Sequence, residues 1–284
     1  MPLLTTEYQF TFNGFAFGGE GSPYQILSVD GLEGVPGIRS QDDNRGFSDG
    51  MFSGQDFFGG RTISIIFNTF GNASGSAMAN FNAIQAVLLP QTSGTSELFF
   101  YLPPSTTQYV NARVRGLRTT VDPNYTYGYI VSQVDFFCPD PRYYNYNEQT
   151  ATMAYSAATG RVYNRTYNLT YGGGSATLQT TVTNNGWATT YPTILIKGPI
   201  INPIVGNSTT GNSLSFTKTM IASDELEIDL LNKLITFNGA SARNLLASGT
   251  WFAAPPGNNT FTFTGTGTAN GVTEAIITWY SAFV

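Results

Sequence analysis

Hydrophobic and polar residues alternate with a period of two along much of the first half of the chain. In the opening stretch YQFTFNGFAF, Tyr8, Phe10 and Phe12 share one face, which we expect to lie against a protein core. The same alternation, bounded by turn residues, predicts further strands in this half. The predicted strands cover residues 8–17, 24–29, 61–67, 97–102, 109–121 and 125–137.

One segment of this half has helical spacing instead. Its apolar residues recur three or four positions apart, and Pro90 ends the pattern. These residues are Met78, Phe81, Ala83, Ile84, Val87 and Leu88. The spacing predicts a helix over residues 76–89, with the hydroxyl of Ser76 as its N-terminal cap.

Residues 31–60 show no regular period and are rich in Gly and Asp. A segment of this length without regular structure is either functional or disordered. Its apolar residues favour order, since disordered segments carry few aromatic side chains. These residues are Ile38, Phe47, Met51, Phe52, Phe57 and Phe58. We therefore interpret residues 31–60, called the arm below, as a hairpin-like element that packs against something.

The second half reads as short strands separated by turn signals such as Asn185-Gly186 and Asn238-Gly239. The predicted strands cover residues 161–171, 176–183, 193–197, 214–220, 225–229, 233–237, 260–264 and 275–281. Strands of this length and spacing are typical of a β-sandwich.

The two halves meet at FFCPDPRYYNY, residues 136–146. Pro139 and Pro141 cannot donate ladder hydrogen bonds, so the strand before them has to end there. We predict a mainly β protein. A β-sandwich-like domain with one helix spans residues 1–145, and an all-β sandwich domain spans residues 146–284.

The charge distribution supports this division. Up to Tyr144 the chain has twelve acidic and seven basic residues, all seven of them Arg, whereas six of each follow. The net charge of −5 therefore belongs to the first half. Charged residues make up only 11% of the chain, which is typical of a protein that covers much of its surface with partners. No basic stripe is present to bind nucleic acid.

Cysteine and histidine usage excludes several kinds of chemistry. Cys138 is the only cysteine and there is no histidine, so a disulfide framework, a zinc site and a histidine-based triad are ruled out. Cys138 lies between Phe137 and Pro139 without a nearby base, and we expect a buried, unreactive thiol. The start of the chain lacks the pattern of a secretory signal, and no apolar run is long enough for a membrane helix. We expect a soluble protein made in a cytoplasm.

Three other site hypotheses remain open. Acidic residues cluster at Asp42, Asp43, Asp49 and Asp56 and again at Asp224, Glu225, Glu227 and Asp229, so paired carboxylates could serve a glycosidase or lyase. Asp42, Asp43 and Asn44 could hold calcium, although the EF-hand spacing is absent. In the second half, aromatic rings could stack on sugars or simply fill a core. The candidate rings are Tyr163, Tyr167, Tyr171, Trp187 and Tyr191.

The order of short motifs resembles the distal tail (Dit-like) proteins of phages with long non-contractile tails. In the first half the arm leads into Gly60-Arg61-Thr62-Ile63, one helix follows, and Asp140-Pro141-Arg142 marks the exit. The corresponding motifs of the second half are Tyr191-Pro192-Thr193, Gly198-Pro199, Asn202-Pro203, residues 226–229, Asn238-Gly239 and Pro256-Gly257-Asn258. The likeness covers nearly the whole chain.

The resemblance implies a structural virion protein, assembled in the bacterial cytoplasm, without enzymatic activity, cofactor or metal. The first domain would form a homohexameric ring between the tail tube protein and the tail-tip or baseplate hub protein. The second domain, galectin-like in this family, would project outward. DNA would pass through the ring without being bound. The alternatives are an adhesin that recognises host cell-wall glycan through the second domain, and a polysaccharide-degrading enzyme.

Six charged residues are our candidates for the subunit interface or the channel wall. The acidic ones are Asp42, Asp43, Asp49 and Asp56, and the basic ones are Arg113 and Arg115. The two arginines lie two positions apart on a predicted strand, and could pair with the arm or be ordinary exposed strand residues.

Overall fold

The computed structural model of the chain describes residues 4, 6–102, 106–155, 177–266 and 272–284. Within these residues the protein is mainly β and has one α-helix, so the predicted fold class is confirmed. The chain divides into two compact units, of which the first ends at Tyr146 and the second covers Asn147–Phe283. No helix in the described part of the chain is long and apolar enough to cross a membrane.

The first unit contains twelve strands among its described residues. In chain order they are β1 (Gln9–Phe12), β2 (Phe15–Gly18), β3 (Tyr24–Asp30), β4 (Ile38–Arg39), β5 (Asp43–Asn44), β6 (Met51–Phe52), β7 (Phe57–Phe58), β8 (Arg61–Phe70), β9 (Ser96–Tyr101), β10 (Gln108–Thr120), β11 (Tyr129–Cys138) and β12 (Tyr143–Asn145). The helix α1 (Ser74–Val87) follows β8, and a 3₁₀ helix (Pro123–Tyr127) follows β10.

Apart from the short arm strands β4 to β7, these strands follow the antiparallel order β2-β1-β9-β10-β11-β8-β3, with β12 beside β10. β10 pairs first with β9 and then with β11, and a bulge between Val114 and Gly116 lies just after the change of partner. The sheet thereby folds over an aromatic core. Within it the rings of Phe12 and Phe136 meet edge to face, with centroids 5.1 Å apart.

The helix begins earlier than predicted. α1 starts at Ser74, so Ala73 is its N-cap and Ser76 is the third helical residue. The Ser76 hydroxyl accepts a hydrogen bond from the Ala73 backbone N–H at 3.1 Å. The prediction of Ser76 as N-cap was therefore wrong, because the hydroxyl reaches back from the first turn instead of capping forward. The buried face of α1 consists of Ala77, Phe81 and Ile84.

The predicted strand over residues 8–17 is a hairpin, β1 and β2. Asn13 and Gly14 form its two-residue turn with φ of 48° and 80°, the conformation that the Asn-Gly pair favours. Phe10 and Phe12 are buried as predicted. Tyr8 is 57% exposed, which corrects the expectation that it faces the core. Its φ of 55° turns the chain before β1 begins.

The predicted strand over residues 125–137 starts later in the structure, at Tyr129. Residues 125–128 do not belong to β11. They form most of the 3₁₀ helix, in which Asp122 accepts the backbone N–H of Asn124 and Gly128 ends the turn with φ of 85°. The Asp-Pro pair at its start is a turn signal that the aromatic alternation of Tyr125 and Tyr127 concealed.

The second unit contains thirteen strands among its described residues. They are β13 (Gln149–Ala154), β14 (Leu178–Asn184), β15 (Thr193–Lys197), β16 (Ile200–Asn207), β17 (Asn212–Phe216), β18 (Thr219–Met220), β19 (Glu225–Asp229), β20 (Leu234–Phe237), β21 (Ala240–Ser241), β22 (Leu246–Gly249), β23 (Gly257–Thr266), β24 (Glu274–Trp279) and β25 (Ala282–Phe283). A short 3₁₀ helix (Arg243–Leu245) precedes β22.

Two antiparallel sheets face each other in this unit. One has the order β13-β24-β15-β19-β20-β21, and the other β14-β23-β16-β17-β22 with β18 beside β16. Side chains from both sheets, among them Ile194, Ile228, Phe216 and Phe263, share one hydrophobic core. The unit is a β-sandwich.

The strand predictions for this unit succeed where alternation is strict. β15 and β19 have the predicted bounds. β16 was not predicted, because Pro203 and a register shift between Ile201 and Ile204 interrupt its alternation. The predicted strand over residues 161–171 lies outside the described residues.

Candidate functional site

The arm is a two-tier hairpin. β4 pairs with β7 near its base, where Ile38 faces Phe58 and Arg39 faces Phe57. β5 pairs with β6 further out, where Asp43 faces Phe52 and Asn44 faces Met51. Each strand of these two sheets is only two residues long, so hydrogen bonds within the arm contribute little to its stability.

Its apolar side chains are exposed. All seven of the large apolar residues on the arm beyond its base have exposed fractions from 37% to 107%. They are Val35, Ile38, Phe47, Met51, Phe52, Phe57 and Phe58. The expectation that these side chains pack against something is not met within one subunit. A patch of this kind on a protein marks a surface that another molecule covers.

Two arginines of the arm lie on its aromatic rings. The guanidinium carbon of Arg39 is 5.6 Å from the centroid of Phe57, and that of Arg45 is 5.1 Å from the centroid of Phe52. Such cation–π contacts leave the guanidinium N–H groups free to donate to acceptors at the edge of the ring. Arg39 and Arg45 therefore place positive charge beside two of the arm's exposed rings, while Asp43, Asp49 and Asp56 of the same arm are exposed as well.

Asp42 belongs to the hairpin itself. Its Oδ1 atom accepts the backbone N–H of Gly54 at 2.7 Å across the arm. Hydrogen bonds with Ser40 and Gly54 hold the pKa of the Asp42 carboxyl below its usual value. In the described residues, no group of three or more Asp, Glu, His or Cys side chains could hold a metal ion. Asp42 accordingly closes the arm as a structural residue.

A buried arginine holds the base of the arm. Arg61, only 3% exposed, donates from Nη1 to the carbonyl oxygens of Gly31, at 3.0 Å, and of Leu32. Its Nε donates to the carbonyl of Pro141 at 3.1 Å, and its guanidinium lies 5.6 Å from the ring centroid of Tyr143. Burial lowers the pKa of the Arg61 guanidinium, although its ordinary value is so high that it stays charged. We call this set of contacts the Arg61 clamp.

Two glycines sit at the ends of the arm. Gly31 has φ of 76°, and a Cβ there would lie 2.0 Å from the carbonyl oxygen of Thr62. A Cβ on Gly60 would lie 2.9 Å from the ring of Phe137. The chain can enter and leave the arm this close to β8 and β11 only without side chains at these positions.

Arg113 and Arg115 share one aromatic partner. Their guanidinium carbons lie 5.5 Å and 4.6 Å from the centroid of Phe137. The ion pairs formed among the described residues do not include either arginine, and Nε of Arg113 is buried without a hydrogen-bond partner there. The strand's ion pair is instead Arg118 with Asp135, at 3.8 Å. The structure thus brings the two predicted arginines together, but not with the predicted aspartates within one subunit.

An open groove of about 630 Å³ lies along β3. It is lined by apolar and polar groups in about equal measure, among them the carboxylates of Glu7 and Glu33. The remaining lining residues are Tyr8, Ile26, Leu27, Ser28, Val29, Leu32 and Leu102. β3 ends the strand order of its sheet, and a register shift between Ile26 and Ser28 leaves Leu27 53% exposed. Sequence reasoning missed this site, which we call the β3 groove, because its residues come from three separate segments.

The second acidic cluster lies at the surface of the second unit. Glu225 and Glu227 lie on the exposed side of β19, whose Leu226 and Ile228 are buried. Hydrogen bonds from Asn238 and the Ile221 backbone hold the pKa of the Asp224 carboxyl below its usual value. A general acid requires the opposite shift.

The aromatic residues considered for sugar stacking are only partly described. Tyr163, Tyr167 and Tyr171 lie outside the described residues. Trp187 is 63% exposed and contacts Phe283 edge to face, with centroids 4.6 Å apart. Tyr191 is half-buried beside the core of the second unit.

Comparison with known families gives evidence on the second unit. Residues 185–282 match the family of siphovirus-type tail components, C-terminal domain, represented by SPP1 Dit. This part of the chain matches the Dit-type tail components. This confirms the resemblance seen in the sequence and the location in the virion. No curated protein matches the chain.

Solved structures of phage tail and baseplate proteins share the fold along nearly the whole chain. The crystal structure of the SPP1 Dit protein, described as a paradigm of the hub adsorption apparatus in phages that infect Gram-positive bacteria, aligns with a TM-score of 0.67 and 15% identity. That alignment covers 98% of this chain and 99% of the other. Chains of the phage P2 baseplate in its activated conformation, with Ca and with Sr, align with TM-scores of 0.50 and 0.51 and identities of 9% and 10%. Each of these covers 97% of this chain and 98% of the other.

Proposed function

We propose that this Dit-like protein forms a closed ring at the junction between the tail tube and the host-facing tip or baseplate, and that the arm joins neighbouring subunits. The observation that carries the proposal is the arm, whose base is fixed by the Arg61 clamp and whose large apolar side chains beyond the base are all exposed. The hairpin has little internal pairing and much exposed apolar surface. Packing against a partner would bury this surface and stabilise the hairpin.

A ring follows from the geometry of such a contact. An arm that binds a different surface on the next identical subunit makes a head-to-tail interface, which either closes by rotation or grows into a filament. A tail junction requires closure. The baseplate structures that share the fold support an assembly of several copies, and we propose six, with the tail tube protein and the baseplate hub protein as neighbours.

The charged candidates have two proposed places in the ring. Asp43, Asp49 and Asp56 face the channel or pair across the seam with Arg113 or Arg115 of the neighbour. The whole negative excess of the chain lies in the first unit. Carboxylates facing the phosphates of passing DNA prevent its adhesion, whereas arginines would create it. DNA therefore passes without being bound.

The test removes the outer tier of the arm. We expect that replacing residues 41–56 with a short Gly-rich turn leaves a folded protein that no longer forms rings, as read by light scattering and negative-stain images. Phe47→Ser with Phe52→Ser should weaken the rings in the same way. The matched control is Val121→Ser with Tyr127→Ser, which removes equally exposed apolar groups outside the arm and should leave the rings intact.

Two results would contradict the proposal. Rings of normal mass after loss of residues 41–56 would place the seam elsewhere. Tight, salt-sensitive binding of the intact ring to duplex DNA would overturn the proposed channel.

Glycan binding through the second unit is the alternative function. The exposed ring of Trp187 is the described feature that favours it. A sugar site requires further polar groups around such a ring. We retain the structural role as the conclusion.

A further inference from the structure

We propose that the β3 groove of each subunit is the receptor for the arm of a second copy, with Arg39 and Arg45 of the arm meeting Glu7 and Glu33 of the groove. This inference rests on the proposed ring and adds the surface on which the arm lands. It follows from two unsatisfied surfaces of the first unit whose chemistry is complementary.

The groove presents apolar side chains together with two carboxylates. Leu27 and Tyr8 are each more than half exposed on its walls, although both are large apolar side chains. Glu7 and Glu33 are exposed beside them. Burying the apolar walls is favourable only for a partner that also satisfies the carboxylates, because an unpaired buried charge is costly.

The backbone of Tyr8, on one wall of the groove, is strained. Its backbone has φ of 55°, a conformation that costs a non-glycine residue free energy. It is kept by hydrogen bonds from the Tyr8 N–H to the Tyr101 carbonyl, at 3.2 Å, and from the Gly19 N–H to the Tyr8 carbonyl, at 3.1 Å. The result is an aromatic ring held out on the groove instead of in the core. Residues in such conformations concentrate at functional sites.

The arm carries the complementary groups. Arg39 lies over Phe57 and Arg45 over Phe52, so each apolar ring has a cation at its edge. Of the ion pairs found among the described residues, none involves Arg39, Arg45, Glu7 or Glu33. The arm thus offers two cations beside exposed rings, and the groove offers two anions beside exposed apolar side chains. These charges match in number and are opposite in sign.

The occupant of the groove is the arm of another subunit. A subunit's own arm leaves the unit at Leu32 and Glu33, at the end of the groove, where the Arg61 clamp holds it. The apolar residues of that arm remain exposed, so they do not fill the adjacent groove. A contact between two different surfaces, arm and groove, is the head-to-tail kind that closes into a ring.

The experiment reverses the charges on each side of the contact. The groove variant is Glu7→Arg with Glu33→Arg, and the arm variant is Arg39→Glu with Arg45→Glu. Alone, each variant places like charges together, and we expect the fraction of protein in rings to fall about tenfold or more. Mixed in equal amounts, each variant's arm finds a complementary groove on the other, so rings of alternating subunits should return. A chain with all four reversals should also form rings, whatever the number of subunits.

Each outcome has one meaning. Loss of rings in both variants and their return on mixing supports the proposal, and rings in either variant alone overturn it. If thermal unfolding shows that Glu33→Arg harms the fold beside Arg61, Glu7→Arg with Leu27→Arg replaces it as the groove variant. Failure of the mixture and of the fourfold reversal to restore rings, with both chains folded, shows that the arm lands elsewhere. If the wild-type protein forms no rings, the proposed function is wrong as well. Failure of the arm–groove contact alone and failure of the ring are therefore distinguishable.

Discussion

A single guanidinium organises the base of the arm. Arg61 is the first residue of β8, yet its side chain is buried and reaches the carbonyls of Gly31, Leu32 and Pro141. The sequence gives no local sign of this, because an arginine after Gly-Gly at the start of a strand is ordinarily exposed. Its three partners lie 29, 30 and 80 positions away along the chain.

We expect Arg61→Leu to destabilise the first unit by about 2–4 kcal/mol, because up to three buried carbonyls lose a charged donor. Denaturant unfolding followed by tyrosine fluorescence measures the change. Arg118→Leu is the matched control, since Arg118 is 75% exposed and its ion pair with Asp135 contributes at most about 1 kcal/mol. Equal effects of the two substitutions would show that the clamp does not stabilise the unit.

Cys138 gives a prediction with a defined pH range. The thiol is fully buried, and burial raises its pKa to about 12. In the unfolded chain a thiol ionises near pH 8.5. Below that pH both states keep the proton and stability does not depend on it. Between about pH 8.5 and 12 the unfolded state loses its proton first, so this group lowers the stability by about 1 kcal/mol per pH unit.

The check compares the slope of unfolding free energy against pH for the wild type and Cys138→Ala. Several tyrosines also titrate in this range, but both proteins share them, so the difference isolates the thiol. At pH 8 the native thiol should resist alkylation and react fully once unfolded. Rapid native labelling, or identical slopes, would mean that Cys138 is accessible.

At the scale of elements, the ends of the arm are set by glycine. We expect Gly31→Ala to cost more than about 3 kcal/mol, since φ there is 76° and the new Cβ would meet the Thr62 carbonyl at 2.0 Å. Gly34→Ala is the control, because its φ of 95° carries similar backbone strain with nothing within 4 Å. It should cost about 1 kcal/mol. Similar melting temperatures for the two variants would show that close approach to β8 is unimportant.

Local sequence signals predicted many of the strands and the presence of the helix. The features that they missed depend on contacts between distant parts of the chain. Strict alternation predicted β15 and β19 to the residue. The Asn13-Gly14 turn was a readable signal, but the aromatic run on both sides of it concealed the hairpin. The start of α1 depends on a hydroxyl that reaches backwards, which spacing alone does not reveal. The β3 groove and the Arg61 clamp combine distant segments, so no window of sequence contains them.

At the scale of the whole molecule, each unit has its own core and its own charge. The core of the second unit joins both of its sheets around residues such as Ile194 and Phe263. Units of this kind commonly fold as independent domains.

We accordingly expect residues 147–284 alone to give a dispersed spectrum and one cooperative thermal transition. In the full-length protein, Arg61→Leu should lower the transition of the first unit and leave that of the second unchanged. Calorimetry measures both. An aggregated or molten second unit, or a shift of both transitions together, would show that the units depend on each other for folding.

The exposed arm also has a consequence for subunits that have not yet found a neighbour. A lone subunit presents seven apolar side chains on a thinly hydrogen-bonded hairpin, which is an accessible substrate for cellular proteases and a seed for aggregation. Subunits made in excess of the growing tail should therefore be short-lived, whereas incorporated ones persist. The same surface that joins subunits would then regulate their supply, by making survival conditional on assembly.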